Sequence, residues 1–120
     1  PDVPVVIDHL GHVPVDEELP RPLLGNLLRL ARYPSVYVKV SNMNRMSKEP
    51  YPHRDAEAIV RRVYDAFGPT RLMWGTDFPY VLDSCGYAPA LAMVKDHYAF
   101  LTPEDKEWIL GKTAAKIWKL

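Results

Sequence analysis

The sequence predicts an α/β fold built on a parallel sheet, and three observations carry that expectation. Three short strand-like segments, 3–9, 35–41 and 71–76, the first two rich in valine, alternate with stretches whose apolar residues recur at helical spacing. Strands that alternate with helices favour parallel pairing with right-handed crossovers. Each strand-plus-helix unit spans roughly 35 residues, near the ~30 that each unit of an eight-unit (β/α) barrel occupies.

The elements follow in order. Val-Pro-Val-Val-Ile-Asp-His at 3–9 suits a strand covered on both faces, with Pro4 at its start where a missing N–H is tolerated. A loop through Gly11 and Pro14 and an acidic turn at Asp16-Glu17-Glu18 lead to a helix. Pro20 and Pro22 open that helix, leucines at helical spacing carry it through Ala31, and Pro34 stops it. Ser35 to Ser41 alternates strictly and reads as the second strand. Residues 42–54 are polar and proline-bearing and read as a long loop. Asp55 is expected to cap a helix through Ile59, Val63 and Phe67 that ends at Gly68-Pro69. Arg71 to Thr76 is the third strand, and it runs into Asp77-Phe78-Pro79. A helix over about 89–100 follows. Thr102-Pro103-Glu104-Asp105 is a helix start, with a threonine cap, a first-turn proline and two acids at the positive helix end. Gly111 is expected to separate that helix from a last one over 113–120.

Composition narrows the function classes. The 120 residues suffice for one domain, and the 48% hydrophobic and 25% charged mix is that of a globular chain. Fifteen basic residues balance fifteen acidic ones, and the densest basic pair is Arg61-Arg62 in a helical pattern, so no footprint for nucleic acid exists. No apolar run approaches the ~20 residues that cross a bilayer, and no membrane partner is expected. The single cysteine, Cys85, excludes an internal disulfide framework and fits a reducing compartment, hence a cytoplasmic location. No neighbouring motif makes Cys85 a nucleophile. The expected partner is a small-molecule substrate, and homo-oligomerisation is compatible with the composition.

Side chains alternate along a strand. Val36, Val38 and Val40 share one side and should pack beneath helices, which leaves Tyr37, Lys39 and Ser41 facing a shared interior. Val5, Ile7 and His9 share a side of the first strand, and Met73, Gly75 and Asp77 a side of the third. His9 and Asp77 stand at strand C-terminal ends, where parallel α/β folds bind ligands. They are therefore expected to converge, with Ser41 and Lys39 between them. Such a pair suits metal ligation by imidazole and carboxylate, or proton removal from water by aspartate while histidine orients the substrate oxygen. A third zinc ligand is not evident. His12 and His53 are weaker site candidates, and His97, mid-helix beside Lys95 and Asp96, reads as a surface residue. Gly111-Lys112-Thr113 resembles the tail of a phosphate loop, but Lys106 stands where that loop needs glycine. No Gly-x-Ser-x-Gly elbow is present. Trp74, Trp108 and Trp118 read as packing residues.

Taken together, Ile7-Asp8-His9-Leu10-Gly11, Val38-Lys39-Val40-Ser41 and the run from Phe67 to Pro79 resemble the last three strands of amidohydrolase-related enzymes. This branch includes sugar lactonases, pyrone-dicarboxylate lactonase and several aromatic-acid decarboxylases. The resemblance implies strands six to eight of a TIM-like (β/α)8 barrel. Three of eight strands cannot close a barrel, so residues 1–120 are expected to form the C-terminal segment of one barrel domain, inactive alone. It also implies that His9 and Asp77 are catalytic residues and metal ligands for zinc or manganese, Asp77 activating water and His9 ligating metal or polarising the carbonyl under attack. In the metal-free lactonase type Asp77 would act without a cofactor. Ser41, Lys39 and Tyr87 are expected substrate contacts, and Asn42 stands where the family usually has glycine. The implied activity is hydrolysis of a lactone, ester or amide of a small carboxylated or sugar-like substrate. Metal-dependent decarboxylation is the alternative within the branch, and a non-catalytic α/β binding domain the alternative outside it.

Overall fold

A computed structural model describes residues 2–120. Three strands, β1 (Val5–Ile7), β2 (Val36–Val40) and β3 (Leu72–Trp74), form one parallel sheet in sequential order. Val5, Val6 and Ile7 pair with Val36, Tyr37 and Val38, and Val38, Lys39 and Val40 pair with Leu72, Met73 and Trp74. The first and third strands are thus shorter than the segments expected to form them. Residues 69–71, at the start of the third run, form a tight helical turn.

Helix α1 (Pro22–Arg29) begins with Pro22 in its first turn and lacks a capping side chain at Arg21, which has a left-handed φ of 57°. The acidic turn supplies the missing acceptor. Glu17 accepts the Leu23 and Leu24 amide protons at 2.7 and 3.1 Å, meeting the positive helix end with a carboxylate. The stretch expected as a loop contains a single helical turn, α2 (Met43–Met46), with Met43 buried. Helix α3 (Arg54–Phe67) starts one residue after His53, not at Asp55. Asp55 sits inside the first turn, where its carboxylate accepts the Ser47 hydroxyl and the Lys48 and Ala56 amides. Ala56, Ile59, Val60, Val63 and Phe67 recur on its buried face, and Gly68 ends it at φ 75°.

Helix α4 (Tyr87–Ala92) continues into a wide π-helical turn over Met93–His97, so the expected helix begins two residues earlier and stops before Tyr98. Helix α5 (Pro103–Glu107) carries the expected cap: Asp105 N–H donates to Thr102 Oγ1, and Thr102 N–H donates back to Asp105 Oδ2. Gly111 does not break the chain. A second wide turn, Trp108–Lys112, absorbs it and leads directly into α6 (Thr113–Trp118).

The core lies between the valine side of the sheet and these helices. Val36, Val38 and Val40 are buried there with Leu24, Ile59, Val63, Met93 and Ile109, each fully buried aliphatic contributing about 1.5–3 kcal/mol. Trp74 packs at its margin, whereas Trp118 is half exposed and contributes little to it. No helix among the described residues is long and apolar enough to cross a membrane. Along β1, Ile7, Val13, Leu23, Leu27 and Leu30 line an open apolar groove.

Candidate active site

Residues paired across parallel strands share a face. Val5 and Ile7, partnered by Val36 and Val38, therefore lie on the valine side. Strict alternation would send His9 there too, away from Lys39 and Asp77. The chain avoids this because the strand ends at Ile7 and His9 takes a left-handed φ of 52°. The turn swings the imidazole over the strand ends. Asp8, still extended, takes the interior face and binds Lys39, Oδ1 to Nζ 2.7 Å. On the third strand Asp77 is likewise left-handed, at φ 55°. Asn42, after the second strand, has φ 67°. Asparagine and aspartate tolerate this region better than other side chains, which is why asparagine serves at a position where glycine is usual.

His9 is held from both ring nitrogens. Nδ1 lies 2.8 Å from Ser41 Oγ, and Nε2 lies 3.3 Å from Asp77 Oδ1. A neutral imidazole that accepts the Ser41 hydroxyl proton at Nδ1 carries its own proton on Nε2, the nitrogen nearer the Asp77 carboxylate. Asp77 Oδ2 is buried and has no hydrogen-bond partner among the described residues. Gly75 keeps the space open, since a Cβ there would stand 3.4 Å from Ser41 Cβ and 3.9 Å from Lys39 Cδ. His9, Asp77, Ser41 and Lys39 line one cavity of about 380 Å³ with Asp8, Gly75, Thr76 and Phe78. Its depressed carboxylate is Asp8, held below the ordinary range by the hydrogen bond from Lys39 against a smaller opposing effect of burial.

Tyr87 is not part of this cavity. Its ring stands edge-on to Trp74, at 5.4 Å between centroids. His53 is buried at the start of α3, where Nδ1–H donates to the Glu49 carbonyl at 3.0 Å, and His97 packs edge-on to Tyr51. His12 lies closer: its ring meets that of His9 edge-on at 5.1 Å, and it lines an adjoining cavity of about 350 Å³ with Asn42, Arg45 and Met46. Sequence reasoning missed Asp8 and Arg45. The same-side parity of Asp8 with Val6, the register partner of Tyr37, marks Asp8 as interior-facing. For Arg45 the signal is its place five residues beyond the end of β2, in a stretch that reads as loop.

A divalent metal at this site would draw on His9 Nε2 and Asp77. Among the described residues no third histidine, cysteine, aspartate or glutamate joins them into a possible metal-holding group. Catalytic zinc takes three protein ligands plus water, and two donors fall short of that set.

Residues 1–120 match the amidohydrolase family, Amidohydro_2, along their whole length. A 4-sulfomuconolactone hydrolase of Hydrogenophaga intermedia is 32% identical over 78 residues, covering 65% of this chain and 25% of that protein. An L-fucono-1,5-lactonase of Burkholderia ambifaria is 35% identical over 82 residues, covering 66% of this chain and 27% of that protein. The crystal structure of an amidohydrolase from Burkholderia multivorans with bound zinc superposes on 98% of this chain with a TM-score of 0.86 and 28% identity, and this chain covers 44% of it. The chain thus spans about a quarter of the length of the curated relatives it matches. With a family match over every residue and the same backbone course as a solved member, the chain belongs to the amidohydrolase family.

Proposed function

We propose that these residues supply strands six to eight of a (β/α)8 barrel, and that the polypeptide carrying them hydrolyses a lactone of a small carboxylated or sugar-like acid. Asp77, which lines the cavity with its carboxylate 3.3 Å from His9 Nε2, is the observation that carries the reading. Asp77 acts as general base: its carboxylate takes a proton from water as the water oxygen bonds to the lactone carbonyl carbon. The ring C–O bond then breaks, and the leaving oxygen takes a proton to give a hydroxy acid. His9 Nε2 stands 3.3 Å from Asp77 Oδ1, and Ser41 fixes the ring of His9 through Nδ1. Lys39 and Ser41 face the substrate from β2. Arg45 has no carboxylate within ion-pair distance among the described residues and stands in the adjoining cavity, which favours an anionic group on the substrate. The lactone hydrolases among the relatives support the same reaction class.

The test is turnover of a panel of muconolactones, pyrone carboxylates and aldonolactones by the full-length polypeptide and its Asp77→Asn variant. Loss of a general base lowers the rate by about 10²–10⁴-fold. Unchanged turnover in Asp77→Asn overturns the mechanism. Carbon dioxide release from an aromatic or muconate-like acid, without lactone opening, would assign the site to decarboxylation.

A further inference from the structure

Two loops meet beside the cavity. The loop after β2 contains α2, and the loop after β3 contains a short helical turn over Tyr80–Asp83. Arg45 of the first lies over the ring of Tyr80 in the second, its guanidinium carbon 4.7 Å from the ring centroid. One residue earlier, Asn44 Nδ2 donates to Ser84 Oγ at 2.5 Å. Adjacent residues of α2 are therefore clasped by two contacts to the same partner loop. Arg45 needs such a support. Its side chain is exposed and long, it forms no ion pair with the described residues, and a free arginine loses rotamer entropy of up to about 2 kcal/mol when it is immobilised on a ligand. The Tyr80 ring gives the guanidinium a flat electron-rich seat without neutralising it. A carboxylate in the same place would cancel the charge.

We propose that Tyr80 is a positioning residue that holds Arg45 ready for an anionic group of the substrate, and that this seat sets the preference for carboxylated over neutral ligands. The inference rests on the reading of Arg45 as the anion-facing residue of the proposed site.

Binding of citrate, used as a carboxylate probe, to the full-length polypeptide tests it by calorimetry without any turnover. Tyr80→Leu removes the aromatic face and should weaken citrate binding about two- to fivefold, the worth of an exposed cation–π contact. Tyr80→Phe keeps the face and should bind within twofold of the parent. Arg45→Gln should lose more than Tyr80→Leu, and the double variant should lose no more than Arg45→Gln alone. Parental affinity in Tyr80→Leu, equal losses in Leu and Phe variants, additive losses in the double variant, or no citrate binding to the parent would each overturn the proposal. Failure of the hydrolase reading shows separately, as absence of lactone turnover in a parent that still binds citrate through Arg45 and Tyr80.

Discussion

Asn42→Ala should destabilise the protein by about 1–2 kcal/mol, the cost of holding an alanine in the left-handed region. Asn42 has φ 67°, and it links Ser41, which bonds His9, to the helical turn that carries Arg45. Its side chain is buried, yet Oδ1 has no hydrogen-bond partner. Truncation to alanine therefore removes no bond at that atom, and the backbone conformation dominates the cost. Asn42→Gly meets no steric penalty at positive φ, but it frees the unfolded chain by an opposing ~0.4–1 kcal/mol. The expected order is parent and glycine variant close together, with alanine below both. Urea unfolding of the full-length polypeptide measures it. With a slope of about 1–3 kcal/mol per molar, the alanine variant should unfold at a midpoint lower by roughly 0.3–2 M. An alanine variant as stable as the glycine variant would show that this backbone position carries no left-handed strain.

Ser41→Ala removes the partner of His9 Nδ1 at 2.8 Å and should lower kcat/KM by about 10–100-fold, the range for partners that orient a site histidine; a loss below twofold would show that the ring is held by other means. Arg71 donates to the Tyr33, Ala31 and Phe67 carbonyls at 2.8, 2.9 and 3.1 Å. Arg71→Met should therefore cost about 2–4 kcal/mol in urea unfolding, since charged donors are worth about 1.5–3 kcal/mol each and do not add fully. Burial opposes ionisation of Asp105, but the Thr102 amide, the Tyr64 hydroxyl and the Thr102 side chain outweigh it and hold the carboxyl below its ordinary value. A depressed folded pKa gives stability that is present above the unfolded value of about 3.9 and is lost as pH falls through the folded value. Asp105→Asn should flatten that part of the acid limb in a stability-versus-pH series, and an unchanged limb would refute the assignment.

The parts of the fold that depend on local periodicity were legible. The parallel sheet follows from strands alternating with helices along the chain, and the buried stripe of α3 and the Thr102 cap each arise within a single window of sequence. What was not legible depends on tertiary contacts. Asp55 looks like a cap because aspartate caps helices, yet the Ser47 and Lys48 groups across the preceding loop claim its carboxylate and the helix begins at Arg54. Gly111 looks like a break, but packing of the 108–112 turn against β3 keeps the chain helical through it. Tyr87, an expected substrate contact, stands edge-on to Trp74 and does not line the cavity of His9 and Asp77, a placement set by packing between the third strand and the helix after it.

The site itself shows a subtler division. His9 and Asp77 converge as their strand-end positions suggest, but alternation alone would have placed them on opposite faces, because the register puts Ile7 with Val38 and Met73 with Lys39. Left-handed turns reconcile the two. All three strands are followed within three residues by a non-glycine residue at φ between 52° and 67°: His9, Asn42 and Asp77. Such conformations cost energy in side chains other than asparagine and aspartate, and they persist where the surroundings over-determine them. Here the surroundings are the hydrogen bond between His9 and Ser41 and the close approach of His9 to Asp77, which the turns themselves make available. The strain and the contacts support each other, so a substitution that relaxes one turn should loosen the whole constellation. Asn42→Ala and Ser41→Ala should for that reason be less than additive in unfolding free energy, while variants at Arg71, which is bonded at the other end of β2, should add to either.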